Sequence, residues 1–230
     1  MKFIPSYILL FLLFVLSACS NDPYDTGDGA LSHMRADFVE AQTDNNANIV
    51  SIETDDGERM FLTGAINVAW AERPDTVYRA LLYYNKVEAD DGTNNAEPLG
   101  ISQVLVPQIT PIEEVKDGIK TDPVTFESSW TSRNGKYLNL DLSIKTGSVN
   151  GDFNTQTIGI ICTGVDTDAN GRHHVSLRLY HDQNGVPEYY SAETYVSIAV
   201  SRLPIVPVEG DEVAVEINTY DGTITRTFTF

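Results

Sequence analysis

Two hundred and thirty residues carry 33 acids against 15 Lys and Arg, with only two cysteines and a net charge of −18. That balance excludes nucleic acid as a partner, because a phosphate backbone is bound by the Lys and Arg that displace its counterions. Two cysteines build neither a disulfide scaffold nor a four-thiolate metal site, and 42% apolar with 21% charged residues is the composition of a globular chain of one or two domains.

The chain opens with one positive charge, Lys2, and an apolar run unbroken from Ile8 to Leu16. This is far shorter than the ~20 residues that cross a bilayer core, so residues 1–18 read as a secretory signal. Leu16-Ser17-Ala18-Cys19 resembles the lipobox of bacterial lipoproteins, which implies lipidation of Cys19 and attachment to the membrane through it. Residues 19–30 are polar, acidic and Gly-containing, with nothing to bury, and form a flexible tether. Ser20 followed by acids resembles the surface-export signal of lipoproteins of certain Gram-negative anaerobes, although Asn21 interrupts it. The expectation is an outer-membrane lipoprotein at the cell surface, with a periplasm-facing orientation as the alternative.

From about Leu31 the punctuation is that of an all-β protein. Asp-Gly falls at 56–57, 91–92, 117–118 and 221–222, and Asn-Gly at 134–135, 150–151, 170–171 and 184–185. These pairs tolerate the positive φ of tight hairpin turns. Between them apolar residues alternate with polar ones, as at Leu138, Leu140, Leu142 and Ile144, and again at Val175, Leu177 and Leu179. Period two predicts half-buried antiparallel strands.

Five strands are predicted at 32–42, 47–54, 58–63, 76–88 and 99–109, enough to close a small barrel of the oligonucleotide/oligosaccharide-binding (OB) kind over residues 31–118. Pro107, Pro111 and Pro123 then bracket a polar stretch suited to a linker or long connection. Seven more strands are predicted at 124–132, 136–145, 156–165, 173–182, 188–200, 212–219 and 223–230, a seven-stranded antiparallel sandwich over residues 119–230.

Together the lipobox Cys, acidic tether, five-strand segment, proline-bracketed linker and seven-strand half resemble the NigD-like lipoproteins. The more telling stretches are Asp122-Pro123-Val124, Lys136-Tyr137-Leu138-Asn139-Leu140 and Val175-Ser176-Leu177-Arg178-Leu179-Tyr180-His181-Asp182. The resemblance implies a barrel-like N-terminal domain joined to a C-terminal β-sandwich, and a binding role whose namesake is a bacteriocin immunity protein. It brings no catalytic residues.

Chemistry-bearing motifs are sparse. Asp166-Thr167-Asp168-Ala169-Asn170-Gly171 copies the first six positions of a calcium loop, making Asp166, Asp168 and Asn170 weak calcium candidates. Position twelve should be a bidentate Glu and is Leu177, which favours a polar hairpin loop. His173 and His174 point to opposite faces of a strand, and His173 stands about 26 Å from His181 at ~3.3 Å per residue, so zinc is disfavoured. Cys162 lies in an apolar run with no His near it in sequence and reads as a core thiol. Neither a Gly-x-Ser-x-Gly elbow nor a phosphate-cradling glycine loop occurs, and 33 acids supply carboxylate pairs by chance alone. The expectation is no catalytic activity and no cofactor.

Two features bear on binding. Trp70, Tyr83, Tyr84, Trp130, Tyr189, Tyr190 and Tyr195 could stack on sugar rings, and in each adjacent Tyr pair one ring should face outward if both lie on a strand. From Ser20 onward the net charge is −19, densest at −8 over residues 20–60, which would attract a basic protein or peptide partner and is explained equally well by colloidal solubility. The leading expectation is therefore a non-catalytic interaction protein that engages a bacteriocin, with a glycan-binding accessory of a polysaccharide-uptake system as the alternative.

Overall fold

The structure is a computed structural model and describes residues 33–89, 91–116, 118–149 and 155–230. The signal segment, the tether, Cys19 and the Asn150-Gly151 turn lie outside these residues.

Arg35 to Phe230 form one compact unit. Its first part is a closed barrel of β1 (Arg35–Thr43), β2 (Ile49–Thr54), β3 (Arg59–Ile66), β4 (Val77–Glu88) and β5 (Asn94–Gln103), in the order β1-β2-β3-β5-β4. Antiparallel pairing of β1 with β4 and parallel pairing of β3 with β5 close it, which leaves no free edge. Val39, Ala41, Ile49, Ile52, Met60, Ala80, Leu82, Tyr84 and Ala96 fill the inside, and Tyr84 donates its hydroxyl to Asp37 at 2.8 Å.

The second part is a sandwich of eight strands: β6 (Ile109–Pro111), β7 (Thr125–Thr131), β8 (Tyr137–Thr146), β9 (Thr157–Thr167), β10 (His173–Asp182), β11 (Tyr190–Ala199), β12 (Glu212–Thr219) and β13 (Gly222–Thr229). One sheet runs β13-β12-β10-β9-β6 and the other β11-β8-β7. The expected alternation holds: Leu138, Leu140 and Leu142 from one sheet meet Val175, Leu177, Leu179, Val213, Val215 and Ile217 from the other in a single apolar layer. Cys162 belongs to that layer as a buried free thiol.

All seven expected sandwich strands fall within two residues of those observed. All seven turn glycines among the described residues, Gly57, Gly92, Gly118, Gly135, Gly171, Gly185 and Gly222, have positive φ. At Asn184-Gly185 both residues do, at 47° and 67°, the conformation of a two-residue hairpin turn that Asn and Gly tolerate.

Two expectations change in detail. The last barrel strand begins at Asn94 and ends at Gln103, because the Asp91-Gly92 turn is a tight hairpin that pairs Asn94 directly with Glu88. Pro98 fits within it because the register shifts between Tyr83 and Tyr84, leaving Leu99 as the extra residue. The proline-spaced connection is also woven into the sandwich. Leu105 bridges Val196 at the rim of the three-stranded sheet, and β6 then crosses to pair in parallel with β9. That adds a short eighth strand. A second parallel pair, β10 with β12, arises because β11 lies in the opposite sheet, so the chain leaves and re-enters.

Candidate functional site

The outer face of β1 and β4 packs on the outer face of the three-stranded sheet, which is why four successive residues of β4, Arg79 to Leu82, are all buried. Phe38 sits edge-on to Trp130 and Tyr195, with ring centroids 5.4 and 5.1 Å apart. Arg79 binds Asp55 at two points, 2.6 and 2.7 Å, with its guanidinium 4.2 Å over the Tyr137 ring. Ser197, 3.5 Å from Arg79 Nε, donates to Asn139 Oδ1 at 2.7 Å. Asn139 and Tyr137 thus do face away from the sandwich core, as the alternation requires, but onto the barrel rather than into water.

At the edge of this junction opens a cleft of about 500 Å³ on the face of β1, β2 and β3. It is lined by residues flanking the core positions Ile52 and Met60, with Phe61 (70% exposed) and Val77 (51% exposed) at its rim. Glu40 and Glu53 are direct cross-strand partners. Lys136, from the β7–β8 hairpin of the sandwich, reaches across to both, at 2.6 and 3.1 Å, and Arg59 binds the other oxygen of Glu53 at 2.5 Å. Tyr137 donates its hydroxyl to Glu40 at 2.9 Å. The site is therefore built by both parts of the chain. Its position on the strand 2–3 face is the one that OB-type barrels use for ligands.

The charge state follows from these contacts. The Arg59 N–H and then Lys136 hold the Glu53 carboxyl below its usual range, and the bond to Glu40 raises the Lys136 ammonium. Burial, followed by the Glu40 charge, pushes the Tyr137 phenol up to about 12. Glu53 is thus an ionised structural partner and does not carry the raised pKa of a catalytic acid. The cleft offers a fixed charge pattern beside an apolar surface. The carboxyl that burial does raise, Asp141, with help from Glu193 and Glu127, lies on β8 away from it.

The residues singled out in the sequence are dispersed. Asp166 pairs with His174 across β9 and β10, while Asp168 Oδ1 accepts the amides of Asn170 and Arg172, a turn-capping arrangement. Among the described residues no three His, Cys, Asp or Glu gather in the manner of a metal site. His173 and His174 each face a carboxylate, Asp211 at 3.2 Å and Glu212 at 3.3 Å. His181 is buried, with Nδ1 3.0 Å from Asp122 O and Nε2 2.8 Å from Gln156 Oε1. Tyr84 is core and Tyr83 half-buried. Tyr189 and Tyr190 are both exposed, because β11 begins only at Tyr190 and alternation does not govern the pair.

Glu40, Glu53, Arg59, Phe61 and Lys136 were not singled out in the sequence. The available signal was period two itself, which puts Glu53, Arg59 and Phe61 at outward positions of adjacent strands.

A closed five-stranded barrel locked to a β-sandwich, with a cleft walled by both, defines a two-lobed all-β protein. The chain belongs to the NigD-like family: residues 108–230 match the NigD-like C-terminal beta sandwich domain. Among solved structures it is similar to a NigD-like immunity protein from Bacteroides caccae, at 23% identity over 85% of this chain and 97% of that one, with a TM-score of 0.64. A protein of Parabacteroides distasonis provisionally described as toxin-related has 19% identity over 86% and 93%, TM-score 0.63. Another, from Bacteroides fragilis and provisionally described as a lipoprotein, has 13% identity over 85% and 96%, TM-score 0.57. At these identities the likeness is one of fold. No curated protein matches the chain.

Proposed function

We propose that the chain is an exported, lipid-anchored, non-catalytic binding protein of NigD-like type, held at the outer membrane through Cys19 and displayed at the cell surface. Its partner is a protein or peptide, and its role is protection against a bacteriocin. The observation that carries this reading is Phe61 at the rim of the barrel cleft, an exposed aromatic beside the Glu40–Lys136–Glu53–Arg59 charge array. A large apolar anchor within a polar rim is the usual anatomy of a protein-binding hot spot. The net charge of −18 speeds encounter with a basic partner. The immunity role of the B. caccae relative supports the specific assignment.

The test is a deletion strain challenged with bacteriocin-containing supernatants of related strains. The expected result is increased killing, reversed by the wild-type gene and not by Phe61→Ser or Lys136→Glu. Equal killing of deleted and wild-type strains sinks the immunity reading.

One observation favours the alternative, a glycan-binding accessory. Tyr189 lies against Gly147, where a Cβ would fall 2.8 Å from Tyr189 Cδ2, so one ring face rests on backbone while the residue is 69% exposed. Tyr190 and Tyr220 are exposed as well. Polysaccharide binding by the full chain that is lost in Tyr189→Ala and kept in Phe61→Ser would select this reading.

A further inference from the structure

The barrel cleft is ordered as two cross-strand rows. Val77 pairs with Gln42, Gln42 with Ser51 and Ser51 with Phe61, so one row crosses β4, β1, β2 and β3 with an apolar side chain at each end and two uncharged polar ones between. The neighbouring row, two residues along each strand, is Arg79, Glu40, Glu53 and Arg59. Three strand spacings of ~4.8 Å put Val77 and Phe61 about 14 Å apart along the sheet. Four residues of extended chain span about 13 Å, and an even count leaves both side chains on the same side.

In the charged row every carboxylate oxygen already has a donor. Glu40 accepts from Tyr137 on Oε1 and from Lys136 on Oε2, and Glu53 accepts from Lys136 on Oε1 and from Arg59 on Oε2. Arg59 uses Nε alone. Its two terminal NH2 groups meet no acceptor among the described residues, and its side chain is 81% exposed. The unmet charge in the cleft is therefore positive, and its complement is a carboxylate held by the guanidinium fork.

We propose that the cleft binds an extended peptide segment lying across β4, β1, β2 and β3, with large apolar side chains four residues apart on Val77 and Phe61 and an acidic side chain on Arg59. This rests on the reading of the cleft as the site of a protein or peptide partner. Gln42 donates Nε2 to Thr43 O in its own strand, which leaves Oε1 to accept a peptide N–H, and the Ser51 hydroxyl can donate to a peptide carbonyl. An extended segment needs such groups because it satisfies none of its own backbone. A helix is the poorer fit, since 14 Å of one at a diameter of 10 Å fills about 1,100 Å³, twice the cleft volume of about 500 Å³. The net charge of −18 still draws in a partner that is basic as a whole, and the acid is a local contact within it.

The test is panning of a display library of random peptides on the full chain in detergent. Recovered peptides are then synthesised and titrated by fluorescence anisotropy against wild type, Phe61→Ser, Val77→Ser and Arg59→Gln. All three side chains are more than half exposed, so the variants should melt as the wild type does. The expected peptides carry large apolar residues at i and i+4 with Asp or Glu adjoining one of them. Phe61→Ser and Val77→Ser should each weaken binding about tenfold or more. Arg59→Gln should weaken it similarly, and should make no difference to a peptide whose acid is replaced by its amide. Peptides that need Phe61 but lack the i, i+4 pair, or that ignore Val77→Ser or Arg59→Gln, overturn this inference and leave the peptide site standing. Recovery of no peptide, or only of peptides indifferent to Phe61→Ser, overturns the reading of the site as well.

Discussion

Arg79 and Asp55 form a two-point ion pair on the outer face of the barrel, and the guanidinium that completes it lies 4.2 Å over the Tyr137 ring of the sandwich. One side chain thus satisfies the β2–β3 turn and the contact between the two parts at once. Its own side chain is 1% exposed and that of Asp55 17%. Arg is suited to the position because a planar fork can bind a carboxylate along its edge and stack through its face.

Replacing Arg79 by Met should therefore cost about 3 kcal/mol, the low end for a broken buried pair because Asp55 keeps some access to water. Tyr137→Phe keeps the ring under the guanidinium and removes only the bond to Glu40, a loss of about 1 kcal/mol. Urea unfolding of the two variants measures both. Equal losses would mean that the stacking and the ion pair do not act through Arg79 as described.

The Lys136 clamp should have a two-sided pH profile. The Glu53 pKa is lowered in the folded state, so its contribution is complete above its unfolded value of about 4.3 and is lost as pH falls through the folded one. The Lys136 pKa is raised, so its contribution is complete below about 10.4 and is lost as pH rises through the folded value. With Lys136 44% exposed, solvent screening limits the clamp to about 1 kcal/mol or less. The stability difference between wild type and Lys136→Met should be flat across neutral pH and shrink at both extremes. A difference that grows toward acid would contradict the sign for Glu53.

Cys19→Ala should move the protein from the membrane fraction to the soluble one. Protease added to intact cells should degrade the wild-type chain if it is displayed outward and spare it if it faces the periplasm. Membrane retention of Cys19→Ala would remove the lipid anchor from the proposal.

Calcium at millimolar concentration should leave the melting temperature within about a degree, since ligand binding stabilises by RT ln(1 + [L]/Kd) and the loop centred on Asp168 already spends that carboxylate on its own turn amides. A rise of several degrees, abolished by Asp168→Asn, would reinstate Asp166, Asp168 and Asn170 as a cation site.

The strands were legible because each carries its own period-two pattern and ends in a turn pair such as Asn184-Gly185, signals that are local to the backbone. The fifth barrel strand was misplaced because Asn94 and Asn95 have poor strand propensity and Pro98 reads as a breaker, until the shift opposite Tyr84 accommodates it. The cleft was harder to see. Glu40, Glu53, Arg59 and Phe61 look like an ordinary solvated strand face, and the cation that joins the two acids, Lys136, lies 96 residues from Glu40 in the chain.

By itself the sequence determined what short-range chemistry controls: an all-β chain, the alternation that fills two cores, a buried Cys162, and a charge hostile to nucleic acid. Tertiary structure decided which outward-facing residues are truly outside. Asn139, Arg79 and Tyr137 occupy solvent-facing positions by strand periodicity and are covered only because the barrel docks on the sandwich. Periodicity fixes the side of a strand on which a residue lies, and only the packing of whole sheets fixes what lies opposite it.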